Sequence, residues 1–186
     1  MKFCSECGKP VFLRIPEGDN RPRYVCEYCQ TIHYQNPRII AGCLPIWGEQ
    51  ILLVKRAIEP RYGLWTLPAG FMENDETLEQ GAQRECFEEA NARVEMDGLY
   101  ALFSLPHINQ VCVIYRCRLL DLEFSPGSES LETRLFTEHE IPWQQLAFRT
   151  ISTTLECYFA DRQTGKFGLH TRDFQSDPAP RTVTYP

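Results

Sequence analysis

Two pairs of cysteines decide what the first three dozen residues can become. Cys4 and Cys7 form one C-x-x-C step, Cys26 and Cys29 a second, and eighteen residues separate them. Each step turns two thiolates to one side, and two such turns complete the tetrahedral sulfur shell that zinc takes in structural sites. Gly8 suits a tight knuckle after the first pair, and VFLRIPEGDNRPRYVC between the pairs reads as two strands joined by the turn EGDN. The expectation is a zinc ribbon over residues 1–36 with Cys4, Cys7, Cys26 and Cys29 as ligands. Four cysteines already fill the shell, so His33 is not needed and no coordination position stays open for chemistry.

The remaining length suits one ordinary domain: the chain has 186 residues, 43% hydrophobic and 12% aromatic, enough for a real core and against general disorder. A net charge of −6 offers no basic field for nucleic acid or a membrane surface. No 18-residue apolar run occurs, and MKFCSECGKP lacks the apolar stretch of a signal peptide, so a cytoplasmic protein is expected. Nine cysteines, an odd number, fit reduced thiols better than a disulfide framework.

Residues 37–160 read as the catalytic domain. Arg38–Leu44 and Ile51–Arg56 are expected strands flanking a turn at Trp47–Gln50, LYALFSL and Val111–Leu120 two more, and Thr133–Phe136 another. Residues 143 to about 160 have helical spacing, and residues 161–186 read as a polar, irregular C-terminal tail.

The segment GFMENDETLEQGAQRECFEEANA, residues 70–92, raises a physical question. Thr77-Leu78-Glu79-Gln80 fits a capping box and Asn91 a left-handed C-cap, which bounds a helix between them. On that helix Glu85 and Glu89 are four apart and Glu88 is three from Glu85, so three carboxylates are expected to converge on one side with Arg84 at the flank. Like charges at that spacing cost a few tenths of a kcal/mol per pair. Oxygen-only ligands are what Mg²⁺ or Mn²⁺ prefers, which makes the helix a candidate cation site.

The spacing Gly70, Glu76, Arg84-Glu85-Cys86, Glu88-Glu89 resembles the Nudix box, G-x5-E-x7-R-E-U-x-E-E-x-G-U. Asn91 stands where the pattern has Gly, and Ala92 is a weak match for a bulky aliphatic. Asn tolerates positive φ, so the turn is expected to survive. The ribbon together with YQNPR, GLWTLPAGFME, PGSESLETRLF and EIPWQQLAF is also similar to plant chloroplast Nudix pyrophosphatases acting on FAD and ADP-ribose. Because the chain begins at the ribbon, a bacterial cytoplasmic relative is the expectation.

The resemblance implies an α+β fold, an α/β/α sandwich with a mixed sheet, beside the small Cys4 ribbon. It implies hydrolysis of a nucleoside diphosphate linked to another moiety, a dinucleotide or nucleotide-sugar, with Mg²⁺ or Mn²⁺ as catalytic metal. Glu85 and Glu89 would be the main metal ligands, Glu88 a ligand directly or through water, and the carbonyl of Ala69 a further one. Gly70, Glu76 and Arg84 would be structural, the last two bracing helix against loop. A homodimer is expected, and no nucleic-acid or membrane partner.

Arg56, ending its strand, is a candidate phosphate clamp, while Lys55 points the other way if the strand is regular. Glu129 and Glu132 are candidates for the general base, with Glu132 the stronger by resemblance. Cys86, Cys112, Cys117 and Cys157 sit in apolar runs as core thiols, His107 and His139 have no triad partners, and Trp65 and Phe71 are expected in the core.

Among substrates, FAD and ADP-ribose lead. An NADH pyrophosphatase with RNA-decapping activity is the near rival, although its SQPWPFP-like stretch is absent where this chain reads DGLYALF at residues 97–103. A third reading is a regulator whose ribbon binds nucleic acid and whose second domain senses a ligand; intact carboxylates weigh against it.

Overall fold

The structure, a computed structural model, describes residues 1–175 and separates into two compact units, Met1–Pro37 and the described residues from Arg38 onward.

In the first unit, β1 (Val11–Arg14), β2 (Arg23–Cys26) and β3 (Ile32–His33) form an antiparallel sheet in that order. The expected turn between β1 and β2 is present, with the Asp19 carboxylate accepting from the N–H groups of Asn20 and Arg21. Cys4, Val11 and Cys26 are the buried centre, too small to hold a fold alone.

The second unit contains β4 (Arg38–Trp47), β5 (Gln50–Arg56), β6 (Trp65–Thr66), β7 (Ala69–Phe71), α1 (Leu78–Ala90), β8 (Val94–Leu105), β9 (Gln110–Leu119), β10 (Ser130–Phe136), α2 (Arg149–Thr164) and β11 (His170–Asp173). The sheet order is β10-β5-β4-β9-β8-β11, with β6 on β5 and β7 on β4. It is mixed: β4–β9 and β8–β11 are parallel, the other pairs antiparallel.

Alternation along β4 and β5 builds the sandwich. Ala41, Cys43, Leu52 and Val54 face α1, packing with its Ala82, Cys86 and Ala90. Leu44, Ile51 and Leu53 face the other way, onto Leu155, Tyr158 and Phe159 of α2 and onto Tyr100 and Phe103 of β8. Burying each large apolar side chain contributes about 1.5–3 kcal/mol. One helix on each face gives the expected α/β/α layering, and Cys86, Cys112 and Cys117 are core thiols.

Two expectations change. The helix read from residue 143 begins at Arg149; residues 143–145 form a 3₁₀ turn instead. The polar stretch from Asp161 is not an irregular tail throughout. α2 continues to Thr164, Gly165 caps it in the left-handed region, and β11 pairs with β8 in parallel register. Phe174, just past β11, is buried edge-on against Phe103 at 5.4 Å, and His170 bonds Asp161 at 2.7 Å. Two anchors hidden in polar sequence thus fix the segment. The residues beyond 175, including SDPAPRTVTYP, lie outside the described part.

Candidate active site

α1 is bounded by local chemistry, as its sequence requires. The N–H of Gln80 donates to the Thr77 hydroxyl at 3.2 Å, and the N–H of Thr77 donates to the Gln80 side chain at 2.8 Å. At the other end Asn91 takes the left-handed conformation, φ 47° and ψ 25°.

The loop leading into α1 is held by one arginine. Arg84 donates to both oxygens of Glu76 at 3.0 and 2.9 Å and to the carbonyl of Phe71 at 3.0 Å. Its other terminal nitrogen reaches Glu85 at 2.7 Å and Glu88 at 2.9 Å. These Arg84 bonds, with the N–H of Glu73, hold the Glu76 carboxyl down to about 2. Charge-assisted forks of this kind fix geometry as well as energy.

Glu89 is 7% exposed and accepts from the N–H of Ala69 at 3.0 Å. Burial lifts its carboxyl to about 8; Glu85 and Glu129 add to the rise, while the Ala69 N–H and the charge of Arg56 oppose it. Burial also raises Glu85, against the pull of Arg84, with Glu88 and Glu129 adding repulsion. A Cβ on Gly70 would lie 2.3 Å from the Glu85 carboxyl, so any larger residue there would push that carboxyl out of its place. Two partly desolvated carboxylates against bare strand backbone form a donor set of oxygen, short of positive charge.

The three glutamates do not converge equally. Glu88 turns outward, its side chain 56% exposed and tied to Arg84. Among the described residues, the only grouping of three or more His, Cys, Asp or Glu ligand atoms within 4.8 Å of one another is at the ribbon cysteines. On α1, one terminal nitrogen of Arg84 bonds both Glu85 and Glu88.

The flanking candidates separate by strand parity. Lys55 meets Glu132 at 3.7 Å and lies over the Trp65 ring, whereas Arg56 exerts its charge on Glu89. Arg56 is anchored by its Nε to the carbonyl of Pro60 at 3.0 Å and lies over Phe148 at 5.3 Å. The structure therefore pairs Glu132 with Lys55, on the strand face away from Arg56. A β-bulge lies between Ser130 and Glu132, the candidate that resemblance had favoured. Glu129, on the loop before the bulge, is the carboxylate felt by both Glu85 and Glu89. Phe71 is exposed beneath Arg38 at 4.5 Å rather than in the core, and Trp65 is buried as expected.

In the ribbon the four sulfurs lie within 4.8 Å of one another, with Cys4–Cys29 at 3.6 Å and Cys7–Cys26 at 3.5 Å. Gly8 and Gln30, both at positive φ, turn the two knuckles. The Thr31 hydroxyl, 3.1 Å from Cys29, and its N–H hold that thiol down to about 6, favouring the thiolate a metal needs. His33 lies 3.3 Å from the Cys4 sulfur, outside the four-sulfur set. The residues fit a structural zinc ion.

Comparison with known proteins agrees with both units. Residues 2–35 match the Nudix N-terminal zinc-ribbon family model and residues 36–154 the NUDIX domain model. A NUDIX hydrolase structure from Nitrosomonas europaea is 60% identical, with a TM-score of 0.92, covering 95% of this chain and 100% of its own. An ADP-ribose pyrophosphatase structure from Streptococcus suis is 24% identical, TM-score 0.58, over 75% of this chain and 100% of its own, and shows the fold. Among curated proteins, the NAD-capped RNA hydrolase NudC of Edwardsiella ictaluri is 36% identical over 96 residues, 50% of this chain. The matched part is 35% of that relative's length, so the chain matches about a third of it. By its two family matches, the chain belongs to the Nudix hydrolases, as a member carrying the N-terminal zinc ribbon.

Proposed function

We propose that the protein is a divalent-metal-dependent pyrophosphatase that splits the diphosphate bridge of a nucleoside diphosphate linked to a second moiety. The observation that carries this reading is the pairing of Glu85 and Glu89 against side-chain-free strand backbone at Gly70. Glu85 and Glu89, with Glu88 and the Ala69 carbonyl, would hold Mg²⁺ or Mn²⁺. Such an ion, when bound, neutralises the diphosphate, polarises its P–O bonds and lowers the pKa of bound water.

The chain's own groups supply the rest. Arg56, steadied through its Nε and by Phe148, directs its terminal nitrogens to a phosphate. Glu129 takes the proton from the attacking water, and its charge at the Glu85–Glu89 pair supports that role over Glu132. Glu76 and Arg84 hold the loop so that Gly70 and Glu85 keep their close approach. In-line attack at one phosphorus then yields two monophosphates.

For the substrate, NAD(H) and the NAD-capped 5′ end of RNA take first place, because NudC relatives of that name align over half the chain. A capped RNA is a nucleic-acid substrate, so the exclusion drawn from net charge is not carried forward. FAD and ADP-ribose remain a second reading, resting on the plant-like stretches of sequence. Residues 97–103, where the SQPWPFP-like stretch is missing, lie within β8, with Tyr100, Ala101 and Phe103 in the core. A homodimer and a cytoplasmic location belong to the same proposal; no helix among the described residues is long and apolar enough to cross a membrane.

The test is to incubate the purified protein with NADH, NAD-capped RNA, FAD and ADP-ribose, each with Mg²⁺ or Mn²⁺, and to resolve the products. NMN(H) plus AMP or 5′-monophosphate RNA, lost in Glu89→Gln, is the expected result; FMN plus AMP as the dominant products would move the second reading to the front. No cleavage of any of them removes the proposal.

A further inference from the structure

The loop carrying Glu129 is fastened to the end of α1, in part through Asn91, the residue that stands where the Nudix pattern has glycine. A helix leaves its last carbonyls without partners. Here the N–H of Ser125 donates to the carbonyl of Ala90 at 2.9 Å and the N–H of Gly127 to that of Glu89 at 3.0 Å. A Cβ on Gly127 would meet the Glu88 carbonyl oxygen at 1.7 Å, so the loop lies directly on the helix end. At its far side the loop is tied to the strand that ends in Arg56, through the Ala57 N–H and the Glu129 carbonyl at 2.8 Å.

Asn91 completes the fastening from the helix side. Its side-chain Nδ2 donates to the Ser125 carbonyl and hydroxyl, both at 3.1 Å, and lies 3.4 Å from the Pro126 carbonyl. A glycine at this position provides the left-handed cap alone. Asparagine provides the cap and an amide that grips the neighbouring loop.

We propose that Asn91 is a positioning residue for Glu129, holding the loop of residues 125–130 in register with the carboxylates of α1. This rests on Glu129 being the general base. Asn91→Gly keeps the backbone conformation and removes only the grip, which makes it the informative variant.

The experiment is a double-mutant cycle on NADH hydrolysis: the unaltered protein, Asn91→Gly, Glu129→Gln and the double variant, with ADP-ribose as the parallel substrate. Thermal stability and Mn²⁺ affinity of each are measured alongside. Asn91→Gly is expected to lower kcat about tenfold, with KM within about threefold and Mn²⁺ affinity unchanged. On the Glu129→Gln background it is expected to have almost no effect, because the group it positions is gone.

An equal loss on both backgrounds, full activity of Asn91→Gly, or a loss that follows Mn²⁺ affinity each overturns the positioning role. A Glu129→Gln variant that keeps full activity removes the base assignment and the positioning role together, and is distinguishable because that leg of the cycle reports it alone. Where Asn91→Gly proves too unstable to assay, Asn91→Asp retains tolerance of the left-handed cap without the donor and is read by the same criteria. Hydrolysis of neither substrate by the unaltered protein removes both readings.

Discussion

The Oε2 of Glu89 accepts a hydrogen bond from the N–H of Ala69 at 3.0 Å, joining the last turn of α1 to β7 twenty residues earlier. That backbone bond and the charge of Arg56 oppose the burial that raises the carboxyl to about 8. Replacing Glu89 by Gln removes the charge while keeping an acceptor oxygen. Hydrolysis is expected to fall at least about 100-fold. Stability without added divalent cation is expected to hold or rise at pH 8. Initial rates and thermal melts on the same preparation check both.

The pH dependence of the metal-free fold follows from the same residue. Its carboxyl is raised from the usual 4.5 to about 8, so between those values the folded protein binds more protons than the unfolded chain. Stability contributed by this site is therefore present below about 4.5 and lost as pH climbs through about 8. The melting temperature of protein dialysed free of Mg²⁺ and Mn²⁺ is expected to drop across that window. The drop should be smaller in Glu89→Gln and smaller again when Mg²⁺ is restored. A flat profile in the unaltered protein contradicts the burial argument.

What was legible in the sequence was local. The Thr77–Gln80 capping box, the left-handed Asn91 and the two cysteine knuckles each form from residues within a few positions of one another, so the residues alone specify them. β11 was not legible, because His170–Asp173 has no apolar alternation and becomes a strand only through the edge of β8 and the distant anchors Asp161 and Phe103. The choice between Glu129 and Glu132 was equally hidden. It depends on a bulge, and on a loop docking against a helix end more than thirty positions away, as in the Asn91–Ser125 contact. The Lys55/Arg56 division, in contrast, needed only strand parity and could be stated beforehand.

Arg84 makes a bidentate fork to Glu76 and caps the Phe71 carbonyl with the same guanidinium. A lysine presents one point charge and cannot reproduce that geometry. Arg84→Lys is expected to reduce kcat about 10–100-fold by loosening residues 71–76 over Glu85. Hydrogen exchange should show faster labelling of that loop, with α2 and β8 unchanged. Full activity of the lysine variant would mean that charge alone suffices.

The ribbon is expected to depend on its metal while the second unit does not. Met1–Pro37 has Cys4, Val11 and Cys26 as its buried core, whereas Arg38 onward encloses two hydrophobic clusters. Zinc removal with a strong chelator, or Cys4→Ser with Cys7→Ser, should abolish exchange protection in β1–β3 and leave β4, β5, β8 and β9 protected. One zinc per chain should appear by metal analysis of the unaltered protein.

Glu129 and Glu132 are three positions apart and should respond oppositely to the same change. Glu129 acts on Glu85 and Glu89 through its charge, while Glu132 is occupied with Lys55 at 3.7 Å on an exposed edge. Removing a general base costs about 10²–10⁴ in rate, whereas breaking an exposed ion pair costs little. Glu129→Gln is therefore expected to lower kcat by at least about 100-fold, and Glu132→Gln to leave it within about threefold. Steady-state kinetics on NADH at saturating Mg²⁺ decide the matter. The reverse ranking would mean that the strand edge, and not the loop fastened to α1, delivers the base.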